Sequence, residues 1–328
     1  MSKQLLVIFG ATGNQGSSII NFVLADPELS SRYTIRGLTR DPSSSAAKAL
    51  KEKGVEVVKC NISNDEEVRA GLQGASDVFL MTVSSPYQQN NSLSTAKERR
   101  TVYTPTGGKD EEKLGNHLAD LVVESGAKYV IWSSMISPKH LSNGKYPHVD
   151  LFESKYEVEQ YIRTLPIKST HFVPAHFYQN MHNHYKPKPL GDGTYGLINF
   201  FDPGTSVPYI DIAEDTGKWI GPMLADQDKF AGKTVACATR LYTQTEVAEA
   251  MSKSSGKTVK HVQISLQEWE SYIPETTRQM MSEMWQHIGD TGYYGAKQDE
   301  ELEWGRQHEK GKLTEIDEYL KREPLVLD

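Results

Sequence analysis

An apolar run that breaks into a glycine-rich turn near the start of the chain constrains the fold more than any other feature. Residues 5–9, LLVIF, are continuously apolar, as expected of a parallel strand that is buried on both faces. The turn GATGNQG follows at residues 10–16, and apolar side chains then recur at helical spacing over residues 19–23. A buried strand, a glycine turn and a helix in this order predict the first unit of a doubly wound parallel α/β sheet.

The same turn predicts a binding site. Gly10 permits a tight turn, Gly13 lets the backbone approach a pyrophosphate, and Gly16 lets the helix pack closely on the strand. The helix N-terminus then presents N–H groups and a partial positive charge to that anion. The residues predicted to contact a dinucleotide here are Gly10, Thr12, Gly13, Asn14, Gln15 and Gly16. Because the spacing is G-x-x-G-x-x-G and not the usual G-x-G-x-x-G, the alternative is a structural turn without a ligand.

The composition is that of a globular protein without a nucleic-acid surface. The chain has 328 residues, 38% of them hydrophobic and 24% charged, enough for one large domain or two smaller ones. A formal net charge of −7 argues against direct contact with nucleic acid, because no basic patch is present to replace counterions. We find neither a leader segment nor an apolar stretch of ~18 residues, so we expect no membrane partner and a cytoplasmic protein, with the nucleus as the alternative. Cys60 and Cys237 lie in apolar contexts that indicate buried thiols in a reducing compartment.

The second predicted strand ends in residues that select between the two forms of the cofactor. It covers residues 33–38 and is followed by Arg40 and Asp41. An acidic residue at this strand end binds a free ribose 2′-hydroxyl, whereas an arginine accommodates a 2′-phosphate. Arg40 comes first, and Ser44 and Lys48 add further phosphate donors, so the sequence favours NADP. Asp41 keeps NAD open, because it either caps the next helix or holds a free ribose.

Three further strands are predicted, at residues 55–58, 78–82 and 128–134. Ligands of such sheets bind at the carboxyl ends of the strands. We therefore expect Asn61 beside the adenine, with a helix-capping turn as the alternative. The contacts expected at the later strand ends are Thr82, Val83, Ser84 and Ser133.

A long polar segment, residues 86–108, shows no sustained periodicity. Segments of this length are usually functional lids or disordered, and both alternatives stay open. Its position after the fourth strand would place a lid over the nicotinamide end of the cofactor.

The second half of the chain predicts a smaller α/β lobe. The expected division is a dinucleotide-binding domain at 1–165 and a substrate or partner lobe at 166–328, with segments near 169–175 and 211–238 returning to the first domain. His182 and His184 do not predict a metal site, because no cysteine or carboxylate stands at ligand spacing.

Five segments together resemble one known family. They are GATGNQG, the strand end LTRDP, ESKYEVEQYI, HFVPAHFYQNM and the late segment SLQEWESYI. Across nearly the whole chain they resemble the NmrA-like group of atypical short-chain dehydrogenases. The resemblance implies a Rossmann fold that binds NADP(H), or NAD, with Lys155, Pro174, Phe177 and Asn180 beside the cofactor.

The resemblance also identifies a departure at the catalytic position. Short-chain dehydrogenases use Tyr-x-x-x-Lys, in which the lysine holds the nicotinamide ribose and the tyrosine is the proton donor. Lys155 matches the lysine, but Leu151 stands where the tyrosine is expected. A positioned acid contributes about 10²–10⁴ in rate, although some reductases of the group use the lysine alone. Tyr146, His148 and Tyr156 are nearby candidates to replace the acid, and none has the family's spacing.

Members of this family divide into redox-sensing regulators and NADPH-dependent reductases. Leu151 favours a regulator that binds NADP(H) and acts through a protein partner. The alternative is a reductase of a small hydrophobic or phenolic substrate that uses Lys155 with a nearby acid. An interaction protein with a vestigial site is disfavoured, since the glycines, Arg40 and Lys155 all remain. The sequence is compatible with a monomer and with a homodimer.

Overall fold

The computed structural model describes residues 3–82, 107–183 and 185–327. Within these ranges the strands form one central sheet of seven strands and two sheets of three. The positions singled out above that lie outside the described residues are Val83, Ser84, His184 and, of the predicted lid segment, 86–106.

All strand pairs of the central sheet are parallel. Its strands are β1 (Gln4–Ile8), β2 (Tyr33–Thr39), β3 (Glu56–Lys59), β4 (Asp77–Leu80), β5 (Tyr129–Ser133), β6 (Lys168–Pro174) and β11 (Thr234–Cys237). The spatial order is β11-β6-β5-β4-β1-β2-β3, so the direction of winding reverses between β1 and β4. Doubly wound sheets bind ligands at this reversal, outside the carboxyl ends of the strands. The predicted Rossmann architecture is confirmed.

The remaining strands form the two small sheets. They are β7 (His176–Phe177), β8 (Lys188–Pro189), β9 (Tyr195–Asn199), β10 (Ser206–Ile210), β12 (Arg240–Thr243) and β13 (Val259–Gln263). One sheet has the order β12-β10-β7 and the other β13-β9-β8. The division into two domains near residue 165 stays a prediction.

Helices connect the strands of all three sheets. They are α1 (Asn14–Ala25), α2 (Pro27–Arg32), α3 (Ser45–Glu52), α4 (Asp65–Leu72), α5 (Gly107–Glu124), α6 (Pro138–Leu141), α7 (Asp150–Ile162), α8 (Thr216–Ala225), α9 (Gln227–Phe230), α10 (Gln244–Ser255), α11 (Leu266–Ser271), α12 (Glu275–Thr291), α13 (Gln298–Arg306) and α14 (Ile316–Arg322). A 3₁₀-helix covers Tyr178–His182. Over the three described ranges, no helix combines the length and the apolar character needed to cross a bilayer.

Two helices differ from what the sequence predicts. The pattern does not predict α2, which begins because the Asp26 side chain caps its first turn and Pro27 occupies its first position. The sequence predicts a helix from Asp211 to Leu224, but α8 begins at Thr216, because the Asp211 carboxylate accepts two backbone N–H groups and forms a turn before it.

Glycines bring α5 and α7 into close contact. A Cβ on Gly115 would lie 2.5 Å from Cγ2 of Val158, and a Cβ on Gly108 would lie 2.9 Å from the Cβ of Asp150. Any larger residue at these positions would push the two helices apart. This contact decides which side chains of α5 can reach the functional residues of α7.

Candidate functional site

The glycine turn joins β1 to α1 at the carboxyl end of β1. It lies where the winding reverses between β1 and β4, and we call this place the crevice. Gly10 has a φ of +65°, a left-handed conformation that favours glycine, and a Cβ there would lie 2.9 Å from the Met81 Sδ. A Cβ on Gly16 would lie 2.4 Å from the Gly10 carbonyl oxygen, so only glycine lets α1 approach the turn this closely. Both positions have the backbone geometry that the motif predicts.

The start of α1 is exposed and has no side-chain cap. Gly13 is the N-cap residue, and a Cβ there would lie 3.2 Å from the Gly10 carbonyl oxygen, a contact that a small shift relieves. Asn14 is exposed, Thr12 and Gln15 are half-buried, and the buried Oε1 of Gln15 has no hydrogen-bond partner among the described residues. Uncapped N–H groups at the end of a helix are suited to bind an anion.

Arg40 and Asp41, at the end of β2, differ in the hydrogen bonds that they make with the described part of the chain. Arg40 is exposed and makes no hydrogen bond or ion pair with the part of the chain that the structure describes. The Asp41 Oδ1 accepts the backbone N–H of Ser43 (2.8 Å) and its hydroxyl (2.5 Å), and these bonds lower the pKa of Asp41. The arginine is therefore available to a ligand, whereas the carboxylate is held by its own turn.

Ser44 is the N-cap of α3. Its Oγ accepts the N–H of Ala47 (3.3 Å) and donates to the Asp41 carbonyl (3.0 Å). This hydroxyl therefore serves as the cap of α3, and its contact with a phosphate stays a prediction. Lys48, one turn later, is exposed.

Other predicted contacts follow the ends of β3, β5 and β6. Asn61 is exposed, and its Oδ1 accepts the N–H of Ser63 (3.2 Å), which is the turn that the sequence leaves open as the alternative. Ser133 and Pro174 end their strands in buried positions, and Phe177 and Asn180 follow in half-buried positions. Their contact with a cofactor stays a prediction.

Lys155 extends from α7 to the end of β4. Its Nζ donates to the carbonyl oxygen of Thr82 (3.1 Å) and to Oε1 of Glu111 (2.5 Å), and it lies 3.3 Å from the Thr82 Oγ1. The structure thus brings together Lys155 and Thr82, two residues that the sequence assigns to the cofactor.

Glu111, near the start of α5, is a site residue that the sequence analysis missed. It is 1% exposed, and it also accepts the Thr82 hydroxyl at Oε1 and the Ser154 hydroxyl at Oε2 (2.7 Å each). Burial alone would raise the pKa of Glu111, but the charge of Lys155 and the three hydrogen bonds outweigh it and hold that pKa below its usual value. The available signal was helical spacing, which puts Glu111 on the face that carries the buried Leu118.

Two of the candidate acids are paired with α12. The Tyr146 hydroxyl donates to the Asp290 carboxylate. The Nδ1 of His148 lies 2.6 Å from Oε1 of Glu283, and the His148 side chain is 54% exposed. His148 is therefore paired with a half-buried carboxylate, and its role as the replacement acid stays a prediction.

Tyr156 lies against a different cavity from Leu151. It follows Lys155 directly, which rotates it by about 100° around α7. With Ser137 and His140 it lines a small cavity of about 210 Å³, and neither Leu151 nor Lys155 is among the described residues of that wall. The role of Tyr156 as the replacement acid stays a prediction, although this side chain does not share a cavity with Leu151.

A larger cavity of about 700 Å³ has Leu151 in its wall. Its aromatic and thioether side chains are Tyr185, Tyr209, Trp269, Tyr272, Trp285, Met181, Met251, Met280 and Met281. Its polar side chains include Lys186, Lys188, Asn199 and Gln244. Trp285 is 2% exposed, and its Nε1 has no hydrogen-bond partner among the described residues. The sequence of α12 favours an apolar helical stripe at Met280, Met281, Met284, Trp285 and Ile288 but does not indicate a cavity beside it.

No cluster of three or more metal-ligating side chains occurs within residues 3–82, 107–183 and 185–327. His182 is half-buried, its ring contacts Tyr319, and burial lowers its pKa.

The family model described as the NmrA-like family matches residues 2–320. The chain belongs to the NmrA-like family. The match covers the crevice, Lys155 and most of the large cavity wall, and it confirms the resemblance drawn from the five sequence segments.

Relatives and solved structures agree with this assignment. An NmrA-like family domain-containing protein of Dictyostelium discoideum is 31% identical over 337 residues, 100% of this chain and 100% of its own length. The NmrA-like family domain-containing oxidoreductase malD of Malbranchea aurantiaca is 28% identical over 80% of this chain and 76% of its own length. The structure of NmrA, a negative transcriptional regulator, in complex with NADP has a TM-score of 0.75 at 21% identity and covers 97% of this chain and 94% of that chain. At this identity the likeness shows the fold alone.

Proposed function

We propose that this chain binds NADP(H) in the crevice at the carboxyl ends of β1 and β4 and reduces a planar apolar substrate held in the large cavity. The observation that carries the proposal is Leu151, which belongs to the cavity wall and stands one helical turn before Lys155 on α7. A substrate in the cavity would lie next to the helix that carries the ribose-binding lysine. The family includes a relative named as an oxidoreductase, which agrees with this chemistry.

The residues at three places fit the cofactor. The uncapped start of α1 at Gly13 would bind the pyrophosphate, and Arg40 would bind the 2′-phosphate of NADP. Lys155, fixed beside Thr82, would hold the nicotinamide ribose. When bound, NADPH supplies a hydride. The NmrA structure with NADP supports the choice of this dinucleotide.

The wall of the large cavity favours a flat, conjugated substrate. Aromatic and thioether side chains pack well against planar rings. The Trp285 Nε1, which has no partner in the described part of the chain, would gain an acceptor from a substrate carbonyl, and a buried donor left unsatisfied destabilises by about 1–3 kcal/mol. Lys186 and Lys188 add positive charge that favours a phenolic or acidic substituent.

Leu151 further restricts the substrate class. No side-chain acid stands at this position, so we expect the oxygen that becomes negative after hydride transfer to take its proton from water. A phenolate, whose conjugate acid has a pKa of about 10, is far easier to release in that way than an alkoxide. Quinones, and enones that give a delocalised enolate, are therefore favoured over simple aldehydes.

A redox-sensing regulator is the second candidate function. Leu151 and the Glu111 carboxylate that balances the charge of Lys155 both favour retention of the dinucleotide without consumption. The relative NmrA is described as a negative transcriptional regulator. In this role the chain would act through a protein partner, in the cytoplasm or the nucleus.

NADPH oxidation across a panel of quinones, enones and aldehydes tests the proposal. We expect turnover of at least one quinone or enone, and its loss in Lys155→Ala. Tyr156→Phe is the matched control, since this side chain is adjacent in sequence but lines the other cavity, and it should retain turnover.

If no compound of the panel supported NADPH oxidation, the reductase proposal would be contradicted. If NADP⁺ and NADPH then bound with unequal affinity, the regulator would stand, because a ligand shifts a conformational equilibrium only through its differential affinity for the two states.

A further inference from the structure

We propose that Glu111 is a positioning residue that fixes the ammonium of Lys155 in the orientation required to bind the dinucleotide. The proposal rests on the proposed function, because it assumes that Lys155 contacts the nicotinamide ribose. It assigns a role to a residue that lies 44 positions away in the chain and that the sequence motif does not include.

The hydrogen bonds of the Lys155 ammonium orient it. The Lys155 ammonium has three N–H donors, of which one is directed at Oε1 of Glu111 (2.5 Å) and one at the Thr82 carbonyl (3.1 Å). The third remains for a ligand, shared weakly with the Thr82 Oγ1 (3.3 Å). Two fixed donors determine where the third one points.

Glu111 is itself held rigidly. Its carboxylate accepts the hydroxyls of Thr82 and Ser154 as well as the ammonium, and its side chain is 1% exposed. A carboxylate with acceptors occupied on both oxygens has little freedom to rotate. Lys155 is therefore fixed against a rigid partner and not against solvent.

The backbone of Lys155 is also fixed. The Trp132 Nε1 donates to the carbonyl oxygen of Lys155 (2.9 Å), and Trp132 is fully buried. On the other helix, Gly115 lets α5 approach Val158 closely enough for the carboxylate to reach the ammonium. Both ends of the ion pair are thus held by packing.

A chemical consequence follows for Lys155. Because the Glu111 carboxylate balances its charge, the lysine acts as an oriented hydrogen-bond donor to the ribose and not as a net positive charge. Because Leu151 stands where the tyrosine is expected, no phenol stands at that position to be activated by such a charge. Orientation is then the function left for this lysine.

A double-mutant cycle on NADPH affinity tests the proposal. We expect Glu111→Gln, which keeps the shape and removes the charge, to weaken NADPH binding about tenfold, the size of one lost charge-assisted hydrogen bond. Lys155→Met should weaken it by a similar factor. The double variant should bind no more weakly than Lys155→Met, because Glu111 acts only through the lysine.

Two other patterns would overturn the proposal in distinguishable ways. If Glu111→Gln weakens NADPH equally in both backgrounds, Glu111 has a general structural role and the positioning role fails while the proposed site stands. If Lys155→Met leaves NADPH affinity unchanged, the lysine does not contact the cofactor and the proposed function fails with it.

A second variant keeps the test valid if Glu111→Gln does not fold. Ser154→Ala removes one donor to Glu111 and leaves Lys155 its partner. We expect a smaller loss of NADPH affinity, about twofold to threefold, that disappears in the Lys155→Met background. A loss that persists in that background would contradict the positioning role.

Discussion

Glycine permits close packing both in the turn before α1 and in the contact between α5 and α7. The residues in contact are near each other in sequence in the first case and far apart in the second. In the turn, Gly16 allows an approach to the Gly10 carbonyl oxygen of the same short segment. Between the helices, Gly115 allows an approach to Val158, on a separate element. The first is complete within one motif, whereas the second requires the tertiary fold. The difference decides which part of the site a sequence can predict.

The first prediction separates the two roles of glycine inside the turn. Gly13→Val should abolish measurable NADPH binding while the protein stays folded, because a Cβ there meets only one tight contact but a side chain blocks the pyrophosphate. Calorimetric titration with NADPH, together with thermal unfolding, measures both quantities. Gly16→Ala is the comparison, and it should destabilise the fold itself, since its Cβ would lie 2.4 Å from backbone. Unchanged NADPH affinity in Gly13→Val would show that the dinucleotide binds elsewhere.

The second prediction concerns the missing acid next to the α5–α7 contact. Leu151→Tyr should raise the reduction rate of aldehydes by about 10² or more, because a tyrosine one turn before Lys155 supplies the proton that an alkoxide needs. The cavity of about 700 Å³ beside Leu151 leaves room for the ring. Quinone reduction should change little, and Leu151→Phe, which adds the ring without the hydroxyl, should not raise aldehyde reduction. Equal rates in Leu151→Tyr and Leu151→Phe would mean that proton supply does not limit the reaction.

The third prediction concerns Arg40, which follows β2. Arg40→Ala should weaken NADP binding by about tenfold to a hundredfold and spare NAD, since the charge-assisted bonds of the arginine reach only the 2′-phosphate. Parallel titrations with the two dinucleotides provide the measurement. Asp41→Asn is the matched control, because Asp41 is held by Ser43, and it should leave the preference for NADP unchanged. Equal weakening of both dinucleotides by Arg40→Ala would point to a defect in the fold.

The fourth and smallest effect is on the stability of the helix pair. Gly115→Ala should lower the free energy of unfolding by about 1–3 kcal/mol, as overpacking does, because its Cβ would lie 2.5 Å from the Val158 Cγ2. Urea unfolding of Gly115→Ala, Val158→Ala and the double variant checks the cause. In the Val158→Ala background the added methyl has space, so the penalty should shrink. The same penalty in both backgrounds would place the strain elsewhere.

The local part of the site was predictable from the sequence. An apolar run, three glycines and a helical pattern predict β1, the turn and α1, and the close approach of Gly16 to Gly10 lies within this one segment. The alternation of strands and helices likewise predicts the parallel sheet. Lys155 was found through a family motif and not through physics.

The long-range part was not predictable. Glu111 falls in the first turns of a helix, where an acidic residue usually indicates only a favourable interaction with the helix dipole. Its spacing from Leu118 on the buried face was the available signal, and a carboxylate in an apolar stripe indicates a buried partner. Tyr156 follows Lys155 directly in the sequence, but neighbours on a helix point about 100° apart, and Tyr156 lines a different cavity from Leu151. The large cavity is assembled from many separate elements, and no local pattern predicts it.

The central claim is that the crevice and the large cavity form one active site, and transfer of isotope between them tests it most directly. NADPH that carries deuterium at both C4 positions is incubated with an enone of the panel, and the product is analysed by mass spectrometry. We predict one deuterium on carbon in the product for the wild type, with no transfer in Lys155→Ala. Product without deuterium, or transfer that persists in Lys155→Ala, would contradict it.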